Sequence, residues 1–178
     1  MDKFEKFIKR EKIYEGKIIK VYKDKIKIKN NKIITREIVK HDECVAILAI
    51  KNKKIVFVRQ NRYAISASSL EIPAGILNSN ENAEKGALRE LHEETGLIAK
   101  EIKFLFKFYS SIGFCDELIN LFIAQDFIQD KQNLDDDEFI SLEEYDYRQA
   151  IELISKNKIF DAKTIIAILT YKNYIKNT

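Results

Sequence analysis

Gly75-Ile-Leu-Asn-Ser-Asn-Glu81-Asn-Ala-Glu-Lys-Gly86-Ala-Leu-Arg89-Glu90-Leu-His-Glu93-Glu94-Thr-Gly96-Leu97 is the stretch from which the rest of the 178-residue chain can be read. From Ala83 to Glu94 the residues Ala83, Ala87, Leu88 and Leu91 recur at helical spacing and form the apolar stripe of a helix lying on a core. On the neighbouring flank Glu90, Glu93 and Glu94 stand at i, i+3 and i+4. Like charges so placed repel by roughly 0.2 to 0.5 kcal/mol per pair, so the pattern calls for a neutralising cation. Gly86 lies on the same flank although glycine inside a helix costs about 1 kcal/mol relative to alanine. Its bare backbone is read as room for a bulky group. Hard divalent cations such as Mg²⁺ take a few carboxylate oxygens and keep other positions for water and phosphate. Taken alone, such a face could also be a solvated acidic surface.

The full spacing goes further. Gly75, five residues, Glu81, seven residues, then Arg89-Glu90-Leu91-x-Glu93-Glu94-x-Gly96-Leu97 resembles the signature of the Nudix hydrolases. The resemblance implies an α/β fold, a Nudix-type α/β/α sandwich with a mixed sheet, and hydrolysis of a nucleoside diphosphate linked to another moiety with Mg²⁺ or Mn²⁺. It implies metal ligands at Glu90, Glu93 and Glu94 and at the backbone carbonyl of Ala74, with Glu81 and Arg89 clamping loop to helix.

Outside that stretch, 31 basic and 28 acidic residues and a net charge of +3 describe a mixed surface and exclude a basic nucleic-acid footprint. With 46% hydrophobic residues the chain can bury a real core. Cys44 and Cys115 lack metal-ligand spacing and are read as buried thiols. The charged start and the lack of a long apolar run lead to the expectation of a cytoplasmic protein with no membrane partner.

In chain order, residues 1–12 read as a short helix or frayed lead. Ile18–Tyr22, Lys25–Ile28 and Lys32–Val39 alternate as strands of a small antiparallel sheet, with a turn at Asn30-Asn31. Cys44–Ile50 is apolar at both parities, as in a central strand covered on both faces, and Ile55–Val58 follows a charged turn. Pro73 stiffens the entry to the signature loop, and Gly75 is expected to permit a sharp turn. Lys103–Tyr109, Leu118–Ala124 and Phe139–Leu142 read as strands, and Tyr147–Ile154 and Asp161–Tyr174 as helices with Asp161 as N-cap. The expected organisation is an N-terminal strand region, 1–40, before a catalytic domain, 41–178.

Arg59-Gln60-Asn61-Arg62, Glu71-Ile72-Pro73-Ala74-Gly75, Ser111-x-Gly113-Phe114-x-Asp116-Glu117, Asp161-Ala162-Lys163-Thr164 and Thr35-Arg36-Glu37 together look like the ADP-ribose pyrophosphatase branch of that family. That closer resemblance implies cleavage of ADP-ribose or a related ADP-sugar to AMP and ribose 5-phosphate, using two or three ions. It implies substrate contacts at Arg36, Glu37, Arg62 and Gly113. Its general base comes from a downstream loop, with Glu138 the first choice and Glu117 the second, and Glu93 shares the metal work. Relatives are commonly homodimers whose N-terminal strands reach the partner's site. Ile112, Asn61 and Asn80 depart from the branch pattern, and none of them is a metal ligand. A Nudix hydrolase of a GDP-sugar, a dinucleoside polyphosphate or NADH is the alternative, followed by a non-catalytic nucleotide sensor and a purely structural domain.

Overall fold

The computed structural model describes residues 4–134 and 138–176, with side chains to Lys172. The chain forms two compact units: Met1–Glu43 with Tyr109–Leu118, and Cys44–Phe108 with Ile119–Thr178.

The first unit is a three-stranded antiparallel sheet of β1 (Glu5–Glu15), β2 (Ile19–Ile28) and β3 (Ile33–His41) in the order β1-β2-β3. β1 replaces the expected frayed or helical lead. Its pairing with β2 skips Ile8 and Ile13, two irregularities that break the period-2 alternation by which a strand is recognised in sequence. β2 runs unbroken through Asp24, where two strands were expected. The Asp24 carboxylate accepts from Arg10 Nε and Nη2 at 2.8 and 2.7 Å, so a buried charge is paired within the ladder. Asn31 has φ 63°, as the β2–β3 turn requires.

In the second unit the sheet order is β10-β5-β4-β9-β8, comprising β10 (Ser141–Asp146), β5 (Lys54–Arg62), β4 (Cys44–Lys51), β9 (Leu118–Gln129) and β8 (Leu97–Tyr109). β6 (Ala67–Glu71) pairs with β5, and β7 (Ala74–Ile76) pairs with β4. β4 runs parallel to β9 and antiparallel to β5 and β7, so the sheet is mixed.

β4 divides the core. Cys44, Ala46, Leu48 and Ile50 face one apolar cluster with Ala150 of α2 (Tyr147–Ser155) and Ala167 and Ile168 of α3 (Ala162–Lys176). Val45, Ile47 and Ala49 face another with Ala87 and Leu91 of α1 (Ala83–Thr95). A strand apolar at both parities thus has helices on both sides, which makes the α/β/α sandwich. Cys44 is buried as expected, whereas Cys115 is half-buried. β10 begins later than the sequence reading, because its pairing with β5 starts at Ser141↔Arg59 and Phe139 is exposed. Of the acidic run, Asp135–Asp137 lie outside the described residues.

Gly96 closes α1 at φ 68° and donates its N–H to the His92 carbonyl at 2.7 Å. A Cβ there would overlap the backbone carbonyl of Asp130, which cannot swing away as a side chain can. Gly96→Ala is therefore expected to destabilise the protein by about 2 kcal/mol or more, lowering Tm by roughly 4 to 8 °C in a thermal melt.

Candidate active site

α1 is positioned from both ends. The Asn82 side chain accepts from the N–H groups of Glu84 and Lys85 at 2.9 and 3.2 Å. At the other end, the residues after β9 occupy carbonyls that a helix terminus leaves unpaired. Asn133 N donates to Glu93 O at 2.9 Å, Gln132 Nε2 to Glu94 O at 2.5 Å and Asp130 N to Gly96 O at 2.7 Å.

Arg89 organises the acidic flank. Its Nε and Nη2 form a fork on Glu81 at 2.9 and 2.8 Å, and Nη1 donates to Glu90 and Glu93 at 2.7 and 2.9 Å. The fork holds the Glu81 carboxyl down at about 2. Part of the neutralisation that the sequence assigned to a metal ion thus comes from a resident guanidinium. Gly86 also differs from its sequence reading. A Cβ there would meet the Leu77 side chain and the Glu81 carboxylate, so the space holds the returning loop and not a ligand. Gly75 has no positive φ; its bare Cα leaves room for the Glu90 carboxylate, which a Cβ would displace.

Glu94 is 3% exposed, and its Oε2 accepts from Ala74 N–H at 3.0 Å. Burial raises its carboxyl to about 8 against that hydrogen bond, with the charges of Glu90 and Glu138 adding and that of Lys163 opposing. Glu90 is raised too, first by burial and, against Arg89, by Glu93 and Glu138. Glu138 therefore stands near enough for its charge to act on both. A buried carboxylate that resists ionisation, beside a second such group and a third on the same flank, is a hard-oxygen donor set that suits a divalent cation.

This arrangement fixes a pH dependence. A carboxyl protonated in the fold up to about 8 and in the unfolded chain only to about 4.5 makes the folded state bind the extra proton between those limits. Stability from this group is fully present below about 4.5 and is lost as pH rises through 8. In melts of the metal-free protein, Tm should fall from pH 5.5 to 8.5, and saturating Mg²⁺ should raise Tm more at pH 8.5 than at pH 6. A flat profile in both conditions would contradict it.

A second charged cluster adjoins Glu94. Glu71, at the end of β6 and 2% exposed, accepts from Arg62 Nε and Nη2 at 2.7 and 2.6 Å and from Lys163 Nζ at 2.5 Å. Burial works to raise its carboxyl, but these two cations overcome it and hold it at about 2. Lys163 also reaches Asp161 at 3.1 Å. Arg62, expected at the substrate, binds Glu71 through Nε and Nη2 while its side chain stays 43% exposed. In the sequence Glu71 and Lys163 are motif letters without roles, and Asp161 is read only as an N-cap, which its acceptance from Thr164 N–H at 3.0 Å bears out; only the fold brings β5, β6 and α3 together here.

Ala74, Glu90, Glu93, Glu94 and Glu138 gather in the second unit. Arg36, Glu37, Gly113 and Glu117 belong to the first. There Arg36 Nη2 donates to Glu5 at 2.6 Å, and Glu37 lines a concavity of about 380 Å³ with Tyr22, Val39 and Phe114. A Cβ at Gly113 would meet nothing within 4 Å, so no crowding there demands glycine. The Glu117 backbone carbonyl accepts from Ser110 N–H at 3.1 Å, closing the 110–117 loop.

The signature helix, its loop and the sandwich around them define a class. The NUDIX domain family matches residues 40–167, and the chain belongs to that family. Within it, the chain is 41% identical to the ADP-ribose pyrophosphatase of Bacillus subtilis over 167 residues, 92% of this chain and 90% of that protein. It is 42% identical to the methanol dehydrogenase activator of Bacillus methanolicus, with 92% and 90% covered. A GDP-mannose pyrophosphatase of Escherichia coli is 34% identical, with 72% and 69% covered. The crystal structure of an ADP compounds hydrolase superposes with a TM-score of 0.89 at 19% identity, covering 97% of this chain and 95% of that one, and shows the same fold.

Proposed function

We propose that the protein hydrolyses the pyrophosphate bond of ADP-ribose, or of a related ADP-sugar, to AMP and ribose 5-phosphate. The observation that carries this reading is the set of carboxylates Glu90, Glu93, Glu94 and Glu138 in a chain 41% identical to an ADP-ribose pyrophosphatase over nearly its whole length.

Glu90, Glu93 and Glu94, with the Ala74 carbonyl, would hold two or three Mg²⁺ or Mn²⁺ ions. Bound there, the ions offset the negative charge of the diphosphate and make water a better nucleophile. Arg89 keeps Glu90 and Glu93 directed to that task, and the Ala74 N–H orients Glu94. Glu138 accepts the proton of the attacking water, directly or through one more water. One water is consumed per bond cleaved, and its oxygen ends on one of the two phosphates. Arg36, Glu37, Arg62 and Gly113 are the residues proposed to meet the nucleotide sugar. A homodimer is proposed as well, supported by the exposed Phe7, Ile8, Ile13 and Tyr14 along β1.

GDP-mannose is the second reading, favoured by the relatives that act on it. Incubation with ADP-ribose, GDP-mannose, NADH and a dinucleoside polyphosphate, with and without Mg²⁺, followed by chromatography, decides between them. AMP released fastest from ADP-ribose and only with the ion supports the first. A larger kcat/KM for GDP-mannose replaces it with the second.

A further inference from the structure

The link between β6 and β7 carries the group that meets Glu94, and it is held from α3. Ile72 N–H donates to Thr164 Oγ1 at 2.9 Å, Pro73 O accepts from Ile47 N–H at 2.8 Å, and Ala74 N–H donates to Glu94. The Thr164 hydroxyl is itself aimed, donating to Asp161 Oδ2 at 2.6 Å. Glu71, at the start of the run Glu71–Ala74 that makes this link, is bound by Lys163 of the same helical turn as Thr164. Thr164 and Ile72 are fully buried, and the Lys163 side chain is 13% exposed.

A buried ion pair is a poor source of stability, since apolar residues of similar volume often serve as well or better. What Lys163 and Thr164 provide that an apolar pair would not is direction. Each fixes one polar atom in the four-residue run Glu71–Ala74, and the last residue of that run hydrogen-bonds Glu94. We propose that the first turn of α3 is a positioning device for the carboxylate site: Lys163 and Thr164 hold the Glu71–Ala74 link against Glu94 and thereby set the site's affinity for its divalent cation. This rests on the reading that the glutamates of α1 hold such an ion.

Groups that orient metal ligands typically contribute 10- to 100-fold in metal affinity. Binding of Mn²⁺ to the full chain without nucleotide, followed by electron paramagnetic resonance, should therefore weaken by at least about tenfold in Lys163→Met and in Thr164→Val. Thr164→Ser, which keeps the hydroxyl, should bind within about threefold of wild type. In turnover, kcat at fixed Mg²⁺ should fall and recover with excess ion, while KM for the nucleotide stays within about twofold. Circular dichroism and a thermal melt establish that each variant is folded. Should Lys163→Met not fold, the Thr164→Val and Thr164→Ser pair decides. Folded Lys163→Met and Thr164→Val that bind Mn²⁺ as tightly as wild type would overturn the proposal, as would a wild type that binds none. Weakened Mn²⁺ binding in a protein that cleaves no nucleotide supports the positioning role and sinks the proposed hydrolysis instead.

Discussion

Glu94→Gln should leave a folded protein whose kcat is lower by on the order of 10³, because several kcal/mol of charge stabilisation disappear with one ligand. Gln has the same shape and still offers an oxygen to the Ala74 N–H, so the β6–β7 link keeps its anchor. What it lacks is a charge. In wild type that charge is costly without an ion, burial having raised the carboxyl to about 8. The metal-free variant at pH 8.5 should therefore melt above metal-free wild type. Mg²⁺, which raises Tm of wild type, should raise that of the variant little. Stability gained and turnover lost at a single atom separates a metal ligand from a residue of the core. A variant that melts lower, or that turns over within tenfold of wild type, would remove Glu94 from the site.

Glu138→Gln is expected to have the next largest effect, a fall in kcat of about 10² to 10³, which is within the range for a general base. Mn²⁺ affinity and KM should change by less than about fivefold. Glu138 acts on Glu90 and Glu94 through its charge, so its position suits a water held beside them. Glu117→Gln, altering the second candidate for the base, should stay within about threefold of wild type. The reverse ranking in steady-state kinetics would move the base to the 110–117 loop. A Glu138→Gln variant that loses Mn²⁺ as well as turnover would make Glu138 a ligand.

The parts of this molecule that were legible in its sequence are those written locally. α1 was, because its apolar stripe, acidic flank and closing Gly96 lie within a few turns. β4 was, because burial on both faces leaves an apolar run. β1 was not, since the two positions skipped in its register with β2 disrupt the alternation that identifies a strand. The two glycines show the same limit. Gly86 and Gly75 stand out in the sequence, but the first makes room for Leu77 and the second for Glu90, contacts set by how the loop returns over the helix. Arg89 was assigned to Glu81 alone, while its third nitrogen serves Glu90 and Glu93. The Arg62–Glu71–Lys163 cluster spans 92 positions between Glu71 and Lys163, and no period or spacing announces a contact of that range.

The claim on which the function depends is that Glu90, Glu93 and Glu94 bind divalent ions that meet a diphosphate. Crystals grown with Mn²⁺ and a non-hydrolysable ADP-ribose analogue test it through anomalous scattering. The expected result is at least one manganese peak bridging oxygens of Glu90 or Glu94 and a phosphate of the analogue. Manganese found only elsewhere, or an analogue bound away from α1 with no ion between, would contradict it.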